Sequence, residues 1–259
     1  MMGGQFSPVF QGSWVIMVIV GIILLIVGVS LFFVQRHQKQ KVFSIKSARS
    51  MTAAELTETA GLVAEEIGGG SWRDYVKLWG EVVADAPLRS EHKQEACVYY
   101  TSKIERDYET FETTRDADGN TKSSRVRKTE TVSNNRQSIP FWLRDRSGTV
   151  RIEPDGADIE TIEIMNEFRR EKRGDTLGYR YRESILPVGR NVLVVGAVSD
   201  LTGEVTVLKP TQPQHKYIIS FKDEESLAAS VSRNAQATFY GMVGCLGVGG
   251  LLIVIDLLT

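Results

Sequence analysis

The sequence predicts a mainly β protein: a small β-barrel or sandwich with a long hairpin and one N-terminal amphipathic helix, flanked by two transmembrane helices. Three observations predict it. Residues 14–34 and 239–255 are apolar runs without a charged side chain. Between them the apolar spacing is helical once and then shortens to two. Turn signals also punctuate the period-two region, at Asp118-Gly119, Ser147-Gly148, Asp155-Gly156, Val188-Gly189, Thr202-Gly203 and Pro210.

The first run, 21 residues, makes about 31 Å of helix, enough to cross a hydrocarbon core. No Lys or Arg precedes it, its apolar core is too long for a signal peptide and no small-residue cleavage pattern follows, so it reads as a span. The second run gives about 26 Å, near the lower limit for spanning. In it Gly241, Gly244 and Gly247 recur every third residue, and Cys245 with Gly249 forms a small-xxx-small pair. Small residues let helix backbones approach in lipid, so these five form a candidate packing face, for the first span or for a neighbouring subunit. The implied division is a tail (1–13), a span (14–34), a basic juxtamembrane segment with the amphipathic helix (35–71), the β domain (72–225), a second juxtamembrane segment (226–238) and the second span (239–258).

Sidedness follows from charge. Arg36, Lys39, Lys41, Lys46 and Arg49 follow the first span, while residues 1–13 hold no Lys or Arg. The positive-inside rule therefore places the middle domain in the cytoplasm and both termini outside.

Within the middle region, Thr52 and Glu55 have capping-box spacing, and Leu56, Ala60, Val63 and Ile67 recur at helical intervals before three glycines end the pattern. The polar side of this helix carries Glu55, Glu58, Glu65 and Glu66 without a basic residue, which argues against lying on an anionic bilayer. Val76, Leu78, Gly80 and Val82 then alternate with Lys77, Trp79 and Glu81. Further strands are expected over 96–110, 121–133, 139–143, 149–152, 179–186, 192–199, 204–208 and 217–221. Gly80 and Gly196, each mid-strand, are the expected sites of a bulge or a sharp coil.

The longest hairpin carries Glu105, Asp107, Glu109 and Glu112 on one arm and Lys122, Arg125, Arg127 and Lys128 on the other. A turn centred on Asp118-Gly119 sets Glu112 opposite Arg125 and Glu109 opposite Lys128, as a soluble charged ribbon for a partner rather than a catalytic carboxylate pair. The stretch 167–173, EFRREKR, is left open between a short helix and an irregular crossing, its charges read as a solvated surface.

The chain has 31 basic and 32 acidic residues, so no charge surplus points to nucleic acid. Two cysteines in segments of different character argue against a disulfide. Three scattered histidines, His37, His92 and His215, argue against a metal site. Cys97 and His92 are the only candidate reactive pair, and alternation puts Cys97 with Tyr99, opposite Val98 and Tyr100. No phosphate-binding loop, dinucleotide fingerprint, nucleophile elbow or HExxH occurs. No cofactor is expected.

Four segments in order, 86–100 (APLRSEHKQEACVYY), 139–160 (IPFWLRDRSGTVRIEPDGADIE), 181–198 (YRESILPVGRNVLVVGAV) and 217–244 (YIISFKDEESLAASVSRNAQATFYGMVG), resemble the GIDE-type or "beside a membrane" domain. This is the two-span membrane domain of a mitochondrial E3 ubiquitin ligase, and the resemblance covers residues 43–255. It implies ligase activity through a zinc-binding RING after the second span, and a domain on the intermembrane-space side, which corresponds to a periplasm. Two cysteines and three histidines do not make a two-zinc RING. The expectation is a short, prokaryotic-type, RING-less member: a noncatalytic scaffold whose partners are membrane lipid and a second copy or another membrane protein. The alternative is an enzyme or ligase component acting on membrane proteins.

Overall fold

The computed structural model describes residues 11–70, 72–115, 120–201 and 203–258, which fall into two compact units. One is a helix pair, α1 (Gln11–Ser47) with α3 (Glu224–Leu258). The other, residues 48–223, holds α2 (Ala53–Ile67) and every strand. The strands are β1 (Arg49–Ser50), β2 (Arg73–Val83), β3 (Leu88–Arg89), β4 (Ala96–Arg115), β5 (Thr121–Ser138), β6 (Phe141–Arg144), β7 (Thr149–Ile152), β8 (Asp158–Ile159), β9 (Ile162–Arg173), β10 (Thr176–Pro187), β11 (Asn191–Ser199), β12 (Thr206–Leu208) and β13 (Ile218–Ser220).

Five strands close a barrel in the order β2-β6-β7-β12-β11, with β11 bonded back to β2. In chain order the ring reads first, second, third, fifth, fourth, and its one parallel contact is β7 with β12. That is the connectivity of the OB-type barrel. Val76, Leu78 and Val82 of β2 are buried while Trp79 is 41 % exposed, as alternation requires. Lys77 is buried with them despite its place on the polar side. β11 pairs with β2, β12 and β13 and is the central strand, which is why it is an unbroken apolar run.

The two mid-strand glycines do not mark bulges, because the β2–β11 ladder runs without a register shift through both. They permit close approach. A Cβ at Gly80 would stand 2.6 Å from the carbonyl oxygen of Arg144, and one at Gly196 would stand 2.8 Å from the Tyr217 ring. The Tyr217 hydroxyl donates to the Glu153 carbonyl at 2.7 Å, fixing that ring in the barrel core.

α2 covers the barrel with Ala53, Leu56 and Ala60, which join Val76, Leu78, Phe141, Val194 and Ile219 in one core. Its start is strongly determined. Thr52 and Glu55 form a reciprocal capping box. The amides of Ala53 and Ala54 donate to Asp145 (2.8 Å) and the Ser147 hydroxyl (2.9 Å) in the β6–β7 turn. Burial pushes the Asp145 carboxyl up, but hydrogen bonds from the Ser147 hydroxyl and the amides of Ala53, Ser147 and Gly148 outweigh it and hold the group below the usual carboxylate range.

Two insertions build a second sheet beside the barrel. One, between β2 and β6, contributes β3, β4 and β5; the other, between β7 and β11, contributes β9 and β10. Pairing of β4 with β10 joins the two hairpins into the order β5-β4-β10-β9, with β3 on the near end of β4. The open stretch EFRREKR is thus neither helix nor irregular crossing but the outer strand β9.

α1 and α3 are long and apolar enough to cross a membrane, and each extends past its apolar stretch, so Arg36, Lys39, Lys41 and Lys46 are helical while Arg49 opens β1. The pair meets at glycines. A Cβ at Gly249 would lie 3.0 Å from the Gly21 carbonyl oxygen, and one at Gly28 would lie 2.6 Å from Leu246.

Candidate partner-binding site

The β5-β4-β10-β9 sheet has two faces of different electrostatic character. Side chains directly opposite across a ladder share a face. On the first face Arg106 pairs with Glu130 (2.9 Å) and Asp175 (2.8 Å), Lys93 with Glu167 (2.8 Å), and Lys128 with Glu112 (2.5 Å), while Lys122 and Arg173 form no ion pair among the described residues. On the second face Glu105 is shared by Lys103 (2.5 Å) and Arg182 (3.3 Å), and Glu109 takes Arg125 (3.2 Å). The Lys103 hydrogen bond holds the Glu105 carboxyl below its ordinary range, against burial and with help from Arg182 and Arg180. Asp107 accepts from the Thr129 hydroxyl at 2.7 Å. Arg127, Arg136 and Arg170, also on this face, have no ion pair among the described residues.

The register of the hairpin differs from the expected one. Near the barrel it is as the turn predicts, with Tyr99 opposite Ser138 and Ile104 opposite Ser133. Between Ile104 and Glu105 a bulge absorbs Val132, and beyond it Glu109 faces Arg127, Phe111 faces Arg125 and Glu112 faces Ser124. The shift exchanges one set of charge contacts for another: it gives up Glu109 opposite Lys128 and Glu112 opposite Arg125, and it sets Glu130 opposite Arg106, with which it pairs, instead of opposite Asp107. The candidate residues are therefore divided: Glu105, Asp107, Glu109, Arg125 and Arg127 lie on the second face and Glu112 on the first. The turn centre, Asp118-Gly119, lies outside the described residues.

Beyond Glu109, whose amide donates to the Asp175 carbonyl at 2.9 Å, β4 is paired with β5 alone, because β10 ends its pairing at Tyr108. Phe111 is 66 % exposed on this arm with the Arg125 guanidinium 5.5 Å from its ring centre. Phe168 on β9 is 41 % exposed with Arg180 at the same distance.

Cys97 is fully buried with Tyr100 and Ile185. Val98 and Tyr99 instead both pack toward the barrel core, so the expected alternation is broken. The β4–β10 register shift at Leu186/Pro187 allows it. Burial, with the negative charge of Glu183, pushes the Cys97 thiol up to about 11, so it is held as a thiol at neutral pH. His92 stands edge-on to Tyr181, and its amide, with that of Lys93, donates to the buried Glu183 carboxylate at 2.8 and 2.9 Å. Among the described residues no three His, Cys, Asp or Glu side chains converge as a metal site requires.

The glycines of α3 split between two directions. Gly249 meets Gly21 and Gly241 meets Leu31, whereas a Cβ at Gly244 or Gly247 would touch nothing within 4 Å. Cys245 is half-buried. Sequence reasoning missed the partners Gly21 and Gly28, whose seven-residue spacing on one helical side was the available signal. It also missed a cleft of about 830 Å³ outside the barrel, lined by Trp79, Glu81, Arg144, Arg146 and Asn191, in which Arg144 and Glu81 form an ion pair at 2.7 Å.

No curated protein and no solved structure matches the chain. A family model does: residues 109–254, from the outer arm of β4 into α3, match GIDE, described as E3 ubiquitin ligase. The match covers more than half the chain, and the chain therefore belongs to the GIDE family.

Proposed function

We propose that this chain is a noncatalytic, membrane-anchored binding or scaffold module. It presents its β domain from two membrane-crossing helices and assembles through the outward glycines of the second. One observation carries the reading: the surface is spent on an open four-stranded sheet with exposed aromatics and arginines that form no ion pair among the described residues, while the lone thiol of the β domain is sealed and protonated. The second reading, a ligase component acting on membrane proteins, is favoured by the family description.

Reconstitution of the full chain with ubiquitin, activating enzyme and conjugating enzyme separates the two. Ubiquitin chains formed in its presence and not in its absence would overturn the noncatalytic reading. Capture of the intact protein in mild detergent should yield an assembly larger than one copy, and strictly monomeric behaviour with nothing co-purifying would count against a scaffold.

The basic residues after the first span support a cytoplasmic β domain. Because Cys97 is buried, it cannot report sidedness. A cysteine at the exposed Ser123, in a Cys245→Ser background, should react with a membrane-impermeant maleimide only after permeabilisation; labelling in intact cells would reverse the topology.

A further inference from the structure

The strongest contrast in residues 48–223 is between two clusters of charge that lack ion pairs among the described residues. On α2, Glu58, Glu65 and Glu66 are exposed and form none, and Leu62 among them is 58 % exposed. On the second face of the β5-β4-β10-β9 sheet, Arg127, diagonal to the exposed Phe111, and Arg170, on the same strand edge as the exposed Phe168, form none, and the basic residues of this face (Lys103, Arg125, Arg127, Arg170, Arg180, Arg182) outnumber its carboxylates, Glu105, Asp107 and Glu109. We propose that the acidic side of α2 on one copy of this chain docks on the arginine face of that sheet on a second copy. The proposal deepens the scaffold reading and rests on it.

Charge supports the pairing. The guanidinium fork suits carboxylates bidentately, and each cluster carries an exposed apolar side chain, Leu62 or Phe168, to exclude water between the partners. The net charge of −1 means that copies are not held apart by overall repulsion. A second copy also accounts for both clusters with one contact, where an anionic bilayer would account for the arginines alone. Because the two surfaces differ, the contact is heterologous. Each copy offers its helix to one neighbour and its sheet to another, giving a ring or a row, and anchorage in one membrane raises the effective concentration.

Charge reversal and its rescue test this on the full chain in nanodiscs, with self-association read by sizing and cross-linking. Arg127→Glu with Arg170→Glu, or Glu58→Lys with Glu65→Lys, should each weaken association about tenfold or more at low salt, and 0.5 M salt should do the same to the unaltered chain. Combining all four changes should restore it to within a few fold. Thermal melting confirms that each variant is folded.

Unchanged association in the single-surface variants, or no rescue in the combination, overturns the proposal. Loss of binding to anionic vesicles in the arginine variant, with self-association intact, assigns the face to lipid and also overturns it. Gly244→Leu with Gly247→Leu separates the two levels. If only this variant dissociates, the α2–sheet contact fails and the scaffold reading stands; if the unaltered chain is itself monomeric, the scaffold reading fails.

Discussion

β11 and β5 are both strands of one chain, and they are held in opposite ways. In β11 the valines at 192, 194, 195 and 198 are all buried, with hydrogen-bonded neighbours on both edges. β5 is longer, has one neighbour, and not one of its residues is buried. Burial of apolar surface, worth about 25 cal/mol per Å², holds the barrel. Ladder bonds and cross-strand charge pairs of roughly 0.2–1 kcal/mol hold the ribbon. The lesson is that stability and recognition are assigned to different strands, so the ribbon can vary or bind without unfolding what carries it.

The sharpest way to break that comparison is in the barrel core. Leu78→Ala, at a 2 % exposed position, should destabilise the protein by about 2–5 kcal/mol in denaturant unfolding, whereas Phe111→Ala on the ribbon should change it by under about 0.5 kcal/mol. Equal losses would erase the distinction. Gly80→Ala should destabilise by roughly 1–3 kcal/mol, since its Cβ meets backbone at 2.6 Å, while Gly61→Ala on α2, where nothing lies within 4 Å, should stabilise by up to about 1 kcal/mol.

Asp145→Asn, which weakens the cap on α2, should cost about 1 kcal/mol at pH 7. The folded carboxyl lies below its unfolded value, so its contribution is present above about pH 4 and is lost as pH falls through the folded pKa. The gap between wild type and variant in pH-dependent melts should close there, and a gap that widened on acidification would contradict the assignment. The smallest effect belongs to the ribbon. Replacing residues 110–126 with Asn-Gly, so that Glu109 and Arg127 flank a two-residue turn, should leave the melting temperature within a few degrees while removing whatever binds the outer arm.

These contrasts also explain what could be read from the residues alone. Thr52 and Glu55 announce α2 because a capping box is local, and β2 and β11 announce themselves because one or both sides must be apolar. β9 did not. With solvent on much of both sides, EFRREKR has no reason to alternate, and only its pairing with β10 makes it a strand. The same holds for the second face. Which arginines lack a carboxylate among the described residues depends on two insertions, separated in the chain by β6 and β7, meeting along β4 and β10. The fate of Cys97 likewise turned on a shift at Leu186/Pro187 that belongs to the partner strand.

The single extra residue at Val132 has a further consequence. Sliding it to the tip would rethread the outer arm by one position, carrying Arg125 and Arg127 to the opposite side while every barrel bond stayed intact. Four bonds available only to the present threading, Arg106 to Glu130, Thr129 to Asp107, Arg125 to Glu109 and Lys128 to Glu112, work as its latch. A modification that unfastened them would turn β5 over alone, exchanging what that strand displays on each side while β4 kept its own.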